Sequence, residues 1–178
     1  MRGTVINFFG GPNVGKSTYA AHLFSQMKIR GFSVALVTEF AQELVFENRL
    51  NVLESDQLSV FTEQNRRLLR VVDRFDYVIS DSPILLSNVY FNADLSMYVK
   101  EDFEQFVLSS FNNYKNINLY LMRKINWHHN MAERRHSVEE SAVFDEKIYQ
   151  YLIRNHIPFK AIENSIESVD LPGIVPNL

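Results

Sequence analysis

The sequence predicts an α/β fold, a parallel sheet with helices on both of its faces. Three observations carry that expectation. Short apolar runs rich in β-branched and aromatic residues alternate with longer stretches of helical spacing. The first of these runs leads directly into Gly10-Gly11-Pro12-Asn13-Val14-Gly15-Lys16-Ser17, a complete G-x-x-x-x-G-K-S motif. The runs also end on a glycine or a charged residue (Gly10, Glu39, Asp81, Arg123, Glu163), which in a parallel sheet gathers these positions along the edge where ligands bind.

Thr4-Val5-Ile6-Asn7-Phe8-Phe9 is fit for a buried first strand, and Thr18 to Arg30 carries Ala20, Leu23, Phe24 and Met27 at helical spacing. The motif between them therefore sits in the strand–loop–helix setting of a phosphate loop. Its glycines let the backbone curl so that successive N–H groups point inward, and the following helix adds its positive N-terminal dipole. The loop residues Gly11, Asn13, Val14, Gly15 and Thr18 line the nucleotide. Lys16 reaches the β- and γ-phosphates, and the Ser17 hydroxyl holds Mg²⁺.

Gly31 stops the first helix, and Ser33 to Thr38 reads as a second buried strand. A short helix is expected over 40–50. Ser55 is expected to cap a longer helix reaching about Arg74, with Leu58, Phe61, Leu68, Leu69 and Val72 on its apolar side. Tyr77-Val78-Ile79-Ser80 forms a third strand closed by Asp81, and Ser82-Pro83 breaks the chain. Residues 84–113 read as helical or irregular. A fourth strand, Asn118 to Met122, ends at Arg123, and the polar segment 124–137 reads as a lid. Ser137-Val138-Glu139-Glu140 fits a capping box that opens a helix to about Asn155, and Pro158 to Ile162 is the last strand.

The 178 residues are expected to form one domain, and 46% hydrophobic and 13% aromatic content excludes a disordered chain. The net charge of −3 and the lack of a long basic run weigh against nucleic-acid binding driven by charge. The absence of cysteine excludes disulfides, thiolate catalysis and cysteine–zinc sites. Neither a signal-peptide pattern nor an apolar stretch of bilayer length occurs, so the expected setting is cytoplasmic, with no membrane partner.

Several side chains are candidates for chemistry. Asp81 stands where phosphate-loop proteins place a carboxylate beside the Mg²⁺ shell; the alternative is a turn-forming Asp-Ser-Pro cap. Glu39 either takes a proton from an attacking hydroxyl or is a solvated strand-end residue. Arg134 and Arg135, with Arg123 at the base of the lid, would neutralise charge on a phosphoryl group in transfer; the alternative is a solvent-facing basic loop. Gln64 and Arg67 are candidate substrate contacts, against the plainer reading of a solvated helix face shared with Arg66 and Arg70. The adjacent His128 and His129 make a poor chelate, so Mg²⁺ is the one metal implied.

With these residues assembled, the chain resembles small phosphate-loop kinases of the AAA-like group that includes ribosylnicotinamide kinase domains, and more distantly nucleoside and nucleoside-monophosphate kinases. The resemblance rests on Gly10 to Thr18, on Glu39-Phe40-Ala41-Gln42-Glu43, on Asp81, on Leu119 to Arg135, and on the closing helix and strand. It implies the P-loop NTPase fold with a five-stranded parallel sheet and an arginine-bearing lid. It also implies transfer of the ATP γ-phosphate to a small nucleoside or nucleotide acceptor, with catalytic roles for Lys16, Glu39, Asp81, Arg134 and Arg135. Arg123 then belongs to the nucleotide side, and Glu39, Gln64 and Arg67 to the substrate side. Where members of the group carry a basic residue shortly after the strand-two glutamate, this chain has Gln42, which leaves the acceptor open. Action on a nucleic-acid end or a modified base in DNA is the alternative, and a homo-oligomer is compatible with either. A GTPase switch ranks lowest, because no Asn-Lys-x-Asp string occurs.

Overall fold

The computed structural model describes residues 2–94, 96, 98–123 and 137–163. Five strands, β1 (Thr4–Phe9), β2 (Val34–Val37), β3 (Tyr77–Ser80), β4 (Lys115–Met122) and β5 (Lys160–Glu163), form one sheet in the order β2-β3-β1-β4-β5. Every pairing is parallel. Seven helices cross over between them among the described residues: α1 (Lys16–Ile29), α2 (Phe40–Phe46), α3 (Leu50–Ser55), α4 (Gln57–Leu69), α5 (Leu86–Tyr90), α6 (Lys100–Asn112) and α7 (Val138–Arg154).

The strands separate two cores. Ile6, Phe8, Ile79, Leu119 and Leu121 meet Tyr19, Leu23 and Met27 of α1 on one face. Val5, Phe9, Val78 and Tyr120 meet Phe61, Leu68, Phe103, Val107 and Leu152 on the other. Because side chains of β1 alternate between these cores, all six of its residues are buried, as a central strand covered on both sides requires. Of its two polar residues, Thr4 and Asn7, Asn7 is the more deeply buried. Its side-chain amide donates to Asn116 Oδ1 and Asn118 Oδ1 at 3.0 Å each, tying β1 to β4 through side chains as well as backbone.

The predicted sheet and helices are present, with local differences. α4 is capped by Asp56, whose carboxylate accepts from the Ser59 N–H, and not by Ser55, which ends the separate helix α3 and donates its hydroxyl to Asn51 O. α4 stops at Leu69, which is 46% exposed and not part of the apolar side. β4 begins three residues earlier than expected, because β1 offers it partners along its whole length, from Thr4 opposite Lys115 to Phe9 opposite Tyr120.

Register places the functional positions. Phe9 lies opposite Tyr120, Asn7 and Val37 lie opposite Ser80, and Met122 lies opposite Glu163. Gly10, Glu39, Asp81, Arg123 and Glu163 therefore emerge at the same edge of the sheet.

Candidate functional site

The loop between β1 and α1 turns on three residues in the left-handed or extended positive-φ region, Gly10 (φ 144°), Asn13 (φ 62°) and Gly15 (φ 99°). α1 then begins at Lys16, two residues before the expected start, so Lys16 and Ser17 occupy its first turn. The Lys16 ammonium donates to Gly11 O at 3.0 Å. Burial pushes its pKa down, while Glu39, Asp81 and Asp145 oppose that shift through their negative charge.

Asp81 follows β3 and is only 3% exposed. Burial pushes its carboxyl up to about 6, against a hydrogen bond from Ser17 that favours the charged form; the Glu39 charge adds to the rise. Its Oδ1 is buried and has no protein partner among the described residues. An unpaired buried carboxylate oxygen costs free energy unless something satisfies it. Here that oxygen belongs to a side chain bonded to the Ser17 hydroxyl. A hydroxyl and a carboxylate, both hard oxygen donors, fit Mg²⁺, which takes few protein ligands and completes its shell with water and phosphate oxygens.

Glu39 is the N-cap position of α2. Gln64, 3% exposed on α4, grips the backbone on both sides of it: the Gln64 carbonyl accepts from Phe40 N–H at 2.9 Å, and its amide donates to Thr38 O at 3.2 Å. Glu39 and Gln64 both line a cavity of about 540 Å³, together with Lys16, Ser17, Gln57 and Tyr90. Arg67, expected at the substrate, lies off this wall. It is held by Glu43 and Glu63, with its guanidinium 5.0 Å above the Phe40 ring, and so fastens α2 to α4. Arg134 and Arg135 lie outside the described residues.

Arg123 is drawn into the loop by a partner that no motif announced. Its guanidinium meets the Asp145 carboxylate and donates to Pro12 O at 2.7 Å, and Asp145 Oδ1 accepts from Gly11 N–H at 2.7 Å. Asp145 thus pins the start of the phosphate loop to α7. A signal for it exists in the sequence: Ser141, Asp145, Ile148 and Leu152 recur at helical spacing, and the other three are buried, so a carboxylate falls on the inward stripe of α7. Tyr90 is a second unannounced residue. It packs against Phe144 at a tilt, with ring centroids 4.7 Å apart, and burial raises its phenol pKa. A separate cavity of about 780 Å³, lined by Asn113, Asn116, Asn118 and His156, lies away from these groups.

A parallel sheet whose central strand feeds a glycine-rich phosphate loop, with a carboxylate after the neighbouring strand, defines the P-loop NTPase α/β fold. The model of a family described as AAA domain matches residues 5–168, and the chain belongs to that family. No curated protein sequence matches the chain. Among solved structures, a NadR protein in complex with NAD and AMP-PNP is similar (TM-score 0.61, 14% identity), covering 94% of this chain and 48% of its own, so this chain spans about half of NadR. A deoxyadenosine kinase from M. mycoides with dCMP and dCDP bound gives a TM-score of 0.57 at 16% identity over 95% of this chain and 93% of that one. A thymidylate kinase from Ehrlichia chaffeensis gives 0.56 at 18% identity over 95% and 91%. At these identities the likeness is one of fold. Among the described residues, no helix is long and apolar enough to cross a membrane.

Proposed function

We propose that the chain is an ATP- and Mg²⁺-dependent phosphotransferase that moves the γ-phosphate of ATP to a nucleoside or nucleotide. The observation that carries this reading is that Lys16, Ser17 and Glu39 line one cavity, with the buried Asp81 bonded to Ser17. The fold shared with structures of deoxyadenosine kinase and thymidylate kinase supports it.

In this reading the curled loop, Gly11 to Thr18, holds the phosphates with its N–H groups, and Lys16 turns from Gly11 O to the β- and γ-oxygens. Ser17 and Asp81 hold Mg²⁺, which supplies charge neutralisation on the phosphates when bound. Glu39 orients the acceptor and takes its proton, and Gln64 keeps Glu39 in place. Arg123, fixed beside Pro12, keeps the loop in shape on the nucleotide side; Arg134 and Arg135 neutralise charge during transfer. ATP consumption and product mass, measured over a panel of nucleosides and monophosphates, test the proposal. The expected result is acceptor-dependent ADP formation that Lys16→Met lowers by at least about 100-fold. ADP formation unaffected by Lys16→Met, or by every acceptor, would overturn it.

A further inference from the structure

Three consecutive peptides at the front of the phosphate loop are each held by a different side chain. The Gly11 N–H, in the peptide that joins Gly10 to Gly11, donates to Asp145 Oδ1 at 2.7 Å. The Gly11 carbonyl, in the next peptide, accepts from the Lys16 ammonium at 3.0 Å. The Pro12 carbonyl, in the third, accepts from the Arg123 guanidinium at 2.7 Å, and that guanidinium is paired with Asp145. The outer two peptides are thus tied to one carboxylate on α7, directly and through Arg123. The middle one carries Lys16.

Little freedom is left between those ties. The Pro12 ring fixes its own φ, so the middle peptide turns chiefly by rotation at Gly11, the residue type that rotates at least cost. A side chain at position 11 would stiffen the loop locally, but it has no room. A methyl there would stand 2.6 Å from Asp145 Oδ1 and 2.7 Å from Ser141 O. The restraint on this glycine therefore has to come from α7, and Asp145 supplies it.

We infer that Asp145 is a positioning residue for Lys16: from α7 it fixes the Gly11 carbonyl on which the ammonium rests, and so the point from which Lys16 reaches the β- and γ-phosphates. This rests on the nucleotide-binding half of the reading above. Lys16 is only 9% exposed, and an ammonium removed from water needs oxygen acceptors. The charges of Glu39 and Asp81 also act on it. A Gly11 carbonyl that turns away hands the ammonium to one of these carboxylates, the groups that the proposed transfer assigns to the acceptor and to Mg²⁺. Asp145 itself touches no phosphate in this arrangement; it acts through the Gly11 backbone.

The test is calorimetric titration of the full chain with Mg²⁺ and three probes, AMP, ADP and the non-hydrolysable ATP analogue AMP-PNP. Asp145→Ala should raise the Kd of AMP-PNP at least about tenfold and leave that of AMP within about threefold, because Lys16 serves the β- and γ-phosphates alone. In a Lys16→Met background the same substitution should change the Kd of AMP-PNP by less than about threefold, since the group it positions is gone. Asp145→Asn, which keeps an acceptor for Gly11 N–H, should recover most of the tenfold loss. Should Asp145→Ala fail to fold, Gly11→Ala, which strains the same hydrogen bond, takes its place in the comparison. An equal loss for all three nucleotides, an undiminished loss in the Lys16→Met background, or no loss at all would overturn the inference. A chain that binds AMP-PNP through Lys16 and Asp145 but phosphorylates no acceptor would overturn the phosphotransferase reading and leave this inference standing. A parent chain that binds none of the three probes would overturn both.

Discussion

Gly11→Ala probes the contact between the phosphate loop and α7. A methyl group at Gly11 would stand 2.6 Å from Asp145 Oδ1, 2.7 Å from Ser141 O and 3.0 Å from Asp145 N. The first neighbour is a side-chain atom and can turn away; the other two are backbone atoms of a helix and cannot. The loop must therefore back off from α7, which lengthens the 2.7 Å bond from Gly11 N–H to Asp145. Overpacking of this kind costs about 1–3 kcal/mol, and weakening a hydrogen bond to a charged acceptor adds about 1 kcal/mol, for a total near 3 kcal/mol. For a chain of this size that is a fall in Tm of about 6–12 °C. Urea denaturation at neutral pH measures it, with Gly31→Ala as the comparison. Gly31 has φ +82° and nothing within 4 Å of a built Cβ, so its cost is only the left-handed backbone penalty of about 1–2 kcal/mol. Combining Gly11→Ala with Asp145→Ala should cost less than the sum of the two, since both break the same hydrogen bond. A Gly11→Ala protein no less stable than Gly31→Ala would refute the idea that α7 props the loop.

Asp81→Asn should flatten the pH dependence of stability in metal-free buffer. The Asp81 carboxyl is raised to about 6 from an ordinary value of 3.8, so the folded state prefers it protonated; stability present below pH 4 is lost as pH rises through 6. The loss approaches about 3 kcal/mol at pH 7, and equal slopes for the parent and Asp81→Asn in urea titrations between pH 4 and 7 would contradict it. Asn7→Ala strands Asn116 Oδ1 and Asn118 Oδ1 at a position 1% exposed, and should cost about 2–3 kcal/mol by the same denaturation measurement. Asp145→Asn keeps an acceptor for Gly11 N–H but loses the charge facing Arg123, so it should cost less than Asp145→Ala in melting experiments.

What the sequence made legible follows from the range of the interaction concerned. The phosphate loop was legible because Gly10, Gly15, Lys16 and Ser17 act within a few residues of one another, through backbone curvature and a helix terminus. The gathering of Glu39, Asp81 and Arg123 followed from a topological rule about strand ends. Asp145 was missed because its partners, Gly11 and Arg123, lie far away in the chain, and nothing local marks a helical aspartate as a tether. The same distance hid the setting of Arg67: its spacing from Glu63 is visible in sequence, but its capture by Glu43 depends on how α2 folds back over α4. The cap of α4 was displaced by one residue because Ser55 and Asp56 are both good caps, and α3 had already claimed the serine.

The strand order also bears on how the molecule is made. β1 is central, yet both of its neighbours come late: Thr4 pairs with Tyr77 and with Lys115. As a ribosome delivers the chain, the glycine-rich loop emerges before β3 and β4, and it has no sheet to stand on until they have followed. The apolar run Val5 to Phe9 waits exposed through that interval, where chaperone capture competes with aggregation. Binding of nucleotide is therefore a late event in synthesis, and a ribosome-stalled chain ending before β4 should hold no nucleotide although its entire phosphate loop has been translated.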